Sequence, residues 1–206
     1  YSTVVVFSLM IGSFLNVVIY RLPKILEQGW YKECREFLAD ELADEPADKD
    51  ETASPKTNGD DISLSKPNST CPQCGHKIRF YENIPIISWL FLRGKCSEYK
   101  NSISMRYPLI EATTAGLSLV IAMHYGVTLN TLFILILTWG LIALTLIDYD
   151  HMLLPDQITL PLLWLGLLVN INGLLVPLES AVVGAVVGYM SLFSVFWMFK
   201  LVTGKD

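Results

Sequence analysis

Five apolar runs set the pattern of this chain: residues 1–20, 107–125, 128–147, 158–176 and 180–199. Each approaches the roughly 20 apolar residues that a helix needs to cross a bilayer core. Lipid offers the backbone no hydrogen-bond partner, so such runs predict helices, whose peptide groups pair within the segment. Turn material such as Leu154-Pro155-Asp156 and Pro177-Leu178-Glu179 separates the later runs. The expected fold is therefore an all-α polytopic membrane protein with about five transmembrane helices. The first run already begins at Tyr1, so the first span is expected to lack its outer residues. A signal peptide is not expected, because no cleavage-site pattern is present and the basic residues Arg21 and Lys24 follow the run instead of preceding it.

Between the first and second runs the pattern changes. Residues 21–106 hold 27 of the chain's 35 charged side chains, and the other 120 residues carry only eight. Within this segment, residues 36–66 combine acidic repeats with Ser, Thr and Pro and almost no large apolar side chains. They cannot bury enough surface to offset chain entropy, which predicts a disordered acidic tether within a cytoplasmic linker, residues 21–70. Residues 71–106 mix Cys71-Pro72-Gln73-Cys74-Gly75-His76 with the apolar run Ile84-Pro85-Ile86-Ile87-Ser88-Trp89-Leu90 and predict a small folded, zinc-ribbon-like module. Residues 107–206 then form the four-helix membrane part.

Charge sets the orientation. Of the 15 Lys and Arg, 13 lie in residues 21–106 and the other two follow the last run, so both regions are expected in the cytoplasm. Five spans make this self-consistent and put Asp148, Asp150 and Asp156 at the cytoplasmic membrane edge. A net charge of −5 gives no basic excess for nucleic acid, and 52% hydrophobic residues against 17% charged exclude an ordinary soluble domain.

Candidate chemistry gathers in three places. Cys71 and Cys74 have the spacing at which two thiolates reach one tetrahedral Zn²⁺, and Cys96 would supply a third. A second pair would need Cys at position 99, which is Tyr99, so zinc and a metal-free hairpin with reduced thiols both stay open. Fourth ligands to consider are Cys34, His76 and water. The intramembrane polar residues Glu111, His124, Asn170 and Asn172 would face other helices or a watery site. Glu111 is expected to pair with Arg106 near the interface, with a catalytic or substrate-positioning role as the alternative. Gly184 and Gly188 read as a helix-packing face. The run Asp148-Tyr149-Asp150-His151-Met152-Leu153-Leu154-Pro155-Asp156 concentrates three carboxylates where a span meets the cytoplasm. Its bland reading is a polar loop, with Asp150 solvated and Asp156 capping the next helix. If the helix continues through Asp150, Asp148 and Asp150 point to nearly opposite faces and cannot serve one reacting atom.

These residues together resemble the bacterial prepilin peptidases, or type IV leader peptidases, over the whole chain. The resemblance rests on Gly12-Ser13-Phe14-Leu15-Asn16-Val17-Val18-Ile19-Tyr20-Arg21-Leu22-Pro23, the Cys71 to His76 motif, Asn83-Ile84-Pro85 and Ser88-Trp89-Leu90. It continues through Arg93-Gly94-Lys95-Cys96, Arg106-Tyr107-Pro108-Leu109-Ile110-Glu111, and Ile147-Asp148-Tyr149-Asp150-His151 with Leu154-Pro155-Asp156. It implies a multi-pass aspartic endopeptidase of the bacterial inner membrane, its active site toward the cytoplasm. Such an enzyme removes the basic leader from prepilins and type II secretion pseudopilins. It then N-methylates the new amino terminus with S-adenosylmethionine. By the same resemblance Asp148 is the first catalytic aspartate, with Glu111, Asp150 and Asp156 as candidate supporting groups. The second closes a Gly-x-Gly-Asp motif expected beyond Asp206, since Thr203-Gly204-Lys205-Asp206 resembles the stretch just before it. The chain as given is then expected to be inactive alone. The alternative is a non-catalytic membrane protein that binds prepilins or assembles secretion machinery.

Overall fold

The computed structural model describes residues 1–42, 63–64, 84–171 and 173–204, with side chains not described at 40–42. Six helices follow one another among the described residues: α1 (Ser2–Leu42), α2 (Ile87–Phe91), α3 (Arg106–Tyr125), α4 (Leu129–His151), α5 (Asp156–Asn170) and α6 (Leu178–Thr203). Among the described residues the only extended pairing is one antiparallel bridge, Lys95 with Ser102. The all-helical class holds. Three helices among the described residues, α1, α4 and α6, are both long and apolar enough to cross a membrane.

The other two expected spans differ for separate reasons. α3 has the length, but Arg106, Glu111, Thr113, Thr114, Ser118 and His124 dilute its apolarity. α5 has only 15 residues, about 22 Å at 1.5 Å per residue, short of a bilayer core. The side chain of Asn170 ends it. Its Oδ1 accepts the N–H groups of Leu175 (3.2 Å) and Val176 (3.0 Å), and Asn130 Nδ2 donates to the Leu174 carbonyl at 3.0 Å. Residues expected to extend that span are thereby drawn into a side-chain-capped turn.

α1 departs from expectation in the opposite direction. The membrane run was expected to give way to a linker at Arg21, yet the helix continues through the buried Pro23 to Leu42, 41 residues in all. Polarity marks where lipid should end; it does not break a backbone made of good helix formers such as Leu26, Glu27, Gln28, Lys32 and Glu36. Lys32 and Glu36 approach to 4.0 Å at i,i+4 on the exposed surface. The first seven residues of the expected tether are therefore helical. Farther along it, the Ser63 and Leu64 carbonyls accept hydrogen bonds from Arg21 at 3.1 and 3.0 Å. The rest of the tether lies outside the described residues.

α1, α3 and α4 form the packed unit, with α5 against α4 and α6 against α5. Their core is Leu15, Ile19, Ile110, Leu135, Trp139, Ala143 and Ile147. A polar seam runs beside it: Trp139 Nε1 donates to Ser118 Oγ (3.0 Å), Ser118 Oγ to the Thr114 carbonyl (2.7 Å), and Thr114 Oγ1 to the Ile110 carbonyl (2.7 Å). Small side chains and satisfied hydroxyls let helices approach closely where lipid supplies little hydrophobic drive. α6 lies at the edge, exposed along nearly its whole length.

Candidate active site

α3 begins where α4 ends, so Arg106 and the carboxylates of the α4–α5 turn share one end of the bundle with the charged residues 84–105. α4 runs through Asp148 and Asp150 to His151, then stops at Met152, whose left-handed backbone (φ 51°) returns its N–H to the Asp148 carbonyl at 2.8 Å. The condition set by the sequence pattern is met, and the two aspartates take different directions. Asp150 faces α3. Arg106 Nη1 donates to Asp150 Oδ1 at 2.9 Å and Nη2 donates to Oδ2, a two-pronged pair spanning 44 residues of sequence. The hydrogen bond to Asp150 holds the Arg106 guanidinium above its ordinary pKa.

This corrects two expectations at once. Asp150 is not simply solvated, and Arg106 does not pair with Glu111. Glu111 lies one turn farther into α3 and is 7% exposed, with Oε2 accepting the Ile86 N–H at 2.8 Å. Ile86 donates from a left-handed conformation (φ 58°) that a β-branched residue seldom adopts. The buried carboxylate therefore fastens the segment before α2 onto α3. Sequence reasoning missed this, since a backbone N–H as partner leaves no mark in residue identities.

Asp148 is exposed in the last full turn of α4, one residue after Ile147, which is completely buried. Its carboxylate is not engaged by any described side chain. Asp156 is the first residue of α5 and not its cap, which is Pro155; its Oδ1 lies 3.5 Å from Thr159 Oγ1. His124 sits exposed at the opposite end of the bundle, edge-on to Tyr125 at 4.7 Å. Among the described residues, nothing lies within 4 Å of where a Cβ would stand at Gly184 or Gly188.

The cysteine reading is only partly visible. Cys96 is buried at the start of a tight turn, its N–H donating to the Asn101 carbonyl (2.8 Å) and its carbonyl accepting the Lys100 N–H (3.0 Å). Tyr99, at the position of a second pair, is 67% exposed. Cys71 and Cys74 lie outside the described residues, and among those described no group of three His, Cys, Asp or Glu is placed to hold a metal. Gly94 (φ 68°) turns this hairpin. Its carbonyl accepts the Ile103 N–H at 2.7 Å, and an added Cβ would meet the Trp89 ring at 2.9 Å.

Residues 6–125 match the Bacterial Peptidase A24 N-terminal domain, and residues 135–205 match the Type IV leader peptidase family. The chain belongs to that family. It is 53% identical over 201 residues to a "Prepilin leader peptidase/N-methyltransferase" of Stutzerimonas stutzeri, covering 98% of this chain and 65% of that protein. A protein of the same name from Pseudomonas putida is 52% identical over 201 residues, with the same coverage, and one from Neisseria gonorrhoeae is 50% identical over 200, covering 97% of this chain and 66% of the relative. The chain thus spans about 65% of the length of the curated relatives it matches. No solved structure matches it. Family membership and the three long apolar helices together make this a membrane protein.

Proposed function

We propose that the parent polypeptide is a prepilin leader peptidase and N-methyltransferase of the bacterial inner membrane, and that Asp148 is one of its two reacting carboxylates. The observation that carries this reading is the exposed Asp148 at the end of α4, within the segment that matches the peptidase family. We place this end of the bundle in the cytoplasm, where 13 of the 15 Lys and Arg would lie. α3 and α5 complete five spans, α5 by packing its short helix and the Asn170-capped turn among its neighbours.

Hydrolysis of a peptide bond by two carboxylates needs one ionised and one protonated. The ionised member takes a proton from water as its oxygen attacks the scissile carbonyl carbon; the protonated member donates toward the carbonyl oxygen. Collapse of the tetrahedral adduct breaks the C–N bond, and a carboxyl proton goes to the leaving amine. In this reading Asp148 supplies one member, and the other is the aspartate of the Gly-x-Gly-Asp segment that the resemblance implies. Asp150 does not substitute for it, because its oxygens are taken by Arg106.

The substrates fitting this site are prepilins and pseudopilins whose basic leader stays in the cytoplasm while the apolar stem enters the bilayer. The leader would meet the carboxylates at the end of α4, and the stem the apolar helix faces. For the second reaction, S-adenosylmethionine would supply the methyl group accepted by the new terminal amine. Zinc is not assigned a step.

The test is prepilin cleavage by the parent polypeptide in proteoliposomes. Asp148→Asn should lower cleavage by about a thousandfold or more, since an amide neither accepts nor holds the proton, with the melting midpoint unchanged. Asp150→Asn should cost far less. Full activity of Asp148→Asn would overturn the assignment.

A further inference from the structure

Asp148 sits in the last turn of a helix, where backbone ordinarily frays and side-chain direction is poorly held. Two contacts fix that turn here. Ile147 is completely buried and belongs to the same core cluster as Ile110 of α3. Three residues on, Asp150 shares a face with Ile147 and is gripped by both guanidinium nitrogens of Arg106. Arg106 stands four residues before Ile110, so one face of α3, Arg106 and Ile110, meets one face of α4, Asp150 and Ile147. The apolar pair sets the depth of contact and the ionic pair sets the rotation. Asp148 falls between the two anchors in sequence and on the exposed side of the turn.

We propose that Arg106 is a positioning residue for the peptidase reaction, acting through Asp150 to hold the turn that carries Asp148. The inference rests on the reading of Asp148 as a reacting carboxylate. A guanidinium fork suits this role better than an ammonium, because two parallel N–H···O bonds restrict rotation where a point charge restricts only distance. The pair itself adds little to folding. Its side chains are 41% and 23% exposed, and ion pairs with that access to solvent seldom change stability by much. Its effect should therefore appear in turnover and not in melting, because displacing a reacting group by about 1 Å costs up to about a hundredfold in rate.

Steady-state kinetics of the parent polypeptide in proteoliposomes, with a prepilin as substrate, separate the outcomes. Arg106→Ala and Asp150→Asn should each lower kcat by about tenfold, with KM within about twofold of the wild type and the melting midpoint unmoved. Arg106→Lys should fall between them and the wild type. The reversed pair, Arg106→Asp with Asp150→Arg, should recover most of the lost kcat, which no independent role for either residue would produce. Wild-type kcat in Arg106→Ala overturns the inference. So does a raised KM at unchanged kcat, which would make Asp150 or Arg106 a contact for the leader, and so does a reversed pair that folds normally without recovery. Asp148→Asn run in parallel tests the underlying reading: if it abolishes cleavage while the Arg106 variants turn over normally, only the positioning role fails. If it cleaves normally, the assignment of the site fails and the positioning role with it.

Discussion

An alanine at position 12 would bring its Cβ to 2.8 Å from the Glu111 Cα and 3.3 Å from the Thr114 Cβ. The nearer obstacle is backbone, which cannot swing aside as a long side chain can. Gly12 is thus a point of close approach between α1 and α3, and just beyond it Asn16 Nδ2 donates to the Tyr107 carbonyl at 3.2 Å. Gly12→Ala should force the helices apart and lower stability by about 1–3 kcal/mol, read as a lower thermal midpoint in detergent micelles. Gly29, on the same helix with nothing within 4 Å, supplies the contrast. Gly29→Ala should leave the midpoint unchanged or raise it, by up to about 1 kcal/mol, because alanine loses less backbone freedom in a helix. A midpoint raised equally by both substitutions would show that helix propensity, not the approach of α1 to α3, governs position 12.

At the scale of elements, α1 has two parts with different surroundings and one continuous backbone. Its first turns pack on α3 and α4, whereas Cys34 stands on the exposed later part. The 14 residues from Tyr20 to Cys34 would carry that thiol about 21 Å along the helix axis, well clear of the apolar core. A membrane-impermeant maleimide should label Cys34 in inverted inner-membrane vesicles and leave it unlabelled in intact right-side-out spheroplasts, with the modified peptide identified by mass spectrometry. Labelling only from the outside would reverse the topology and place Asp148 on the wrong side for a cytoplasmic leader. The lengths of α1 and α5 were the least legible features of the sequence. Hydropathy reports which solvent a residue prefers, and neither the polar stretch of α1 nor the apolar residues after Asn170 follow it in their backbone conformation.

For the molecule as a whole, stability should be concentrated in α1, α3 and α4. Trp139 is 8% exposed and hydrogen-bonded across to α3, while Val183 on α6 is 60% exposed. In the 206-residue chain, Trp139→Ala should destabilise by on the order of 3 kcal/mol. Val183→Ala should stay within about 0.5 kcal/mol. Guanidinium titrations in micelles, followed by circular dichroism, would compare the two, and similar midpoints would mean that α6 is held as firmly as the core.

The helical class, a membrane-sized apolar content, the family and the concentration of carboxylates near position 148 were all readable without a structure. Each depends on local composition or on short ordered motifs, which the chain carries wherever it folds. That Asp148 and Asp150 diverge was also within reach, as a consequence of helical geometry once the helix was assumed to continue. Partners were not. Arg106 was expected beside Glu111, five positions along the same helix, and instead crosses 44 residues to Asp150. Glu111 turns to a backbone N–H 25 residues before it. Sequence spacing gives the distance between side chains along one helix, but the rotation of α3 against α4 is chosen by packing around Ile110, Trp139 and Ile147. Only that tertiary choice decides which carboxylate is gripped by Arg106 and which stands exposed.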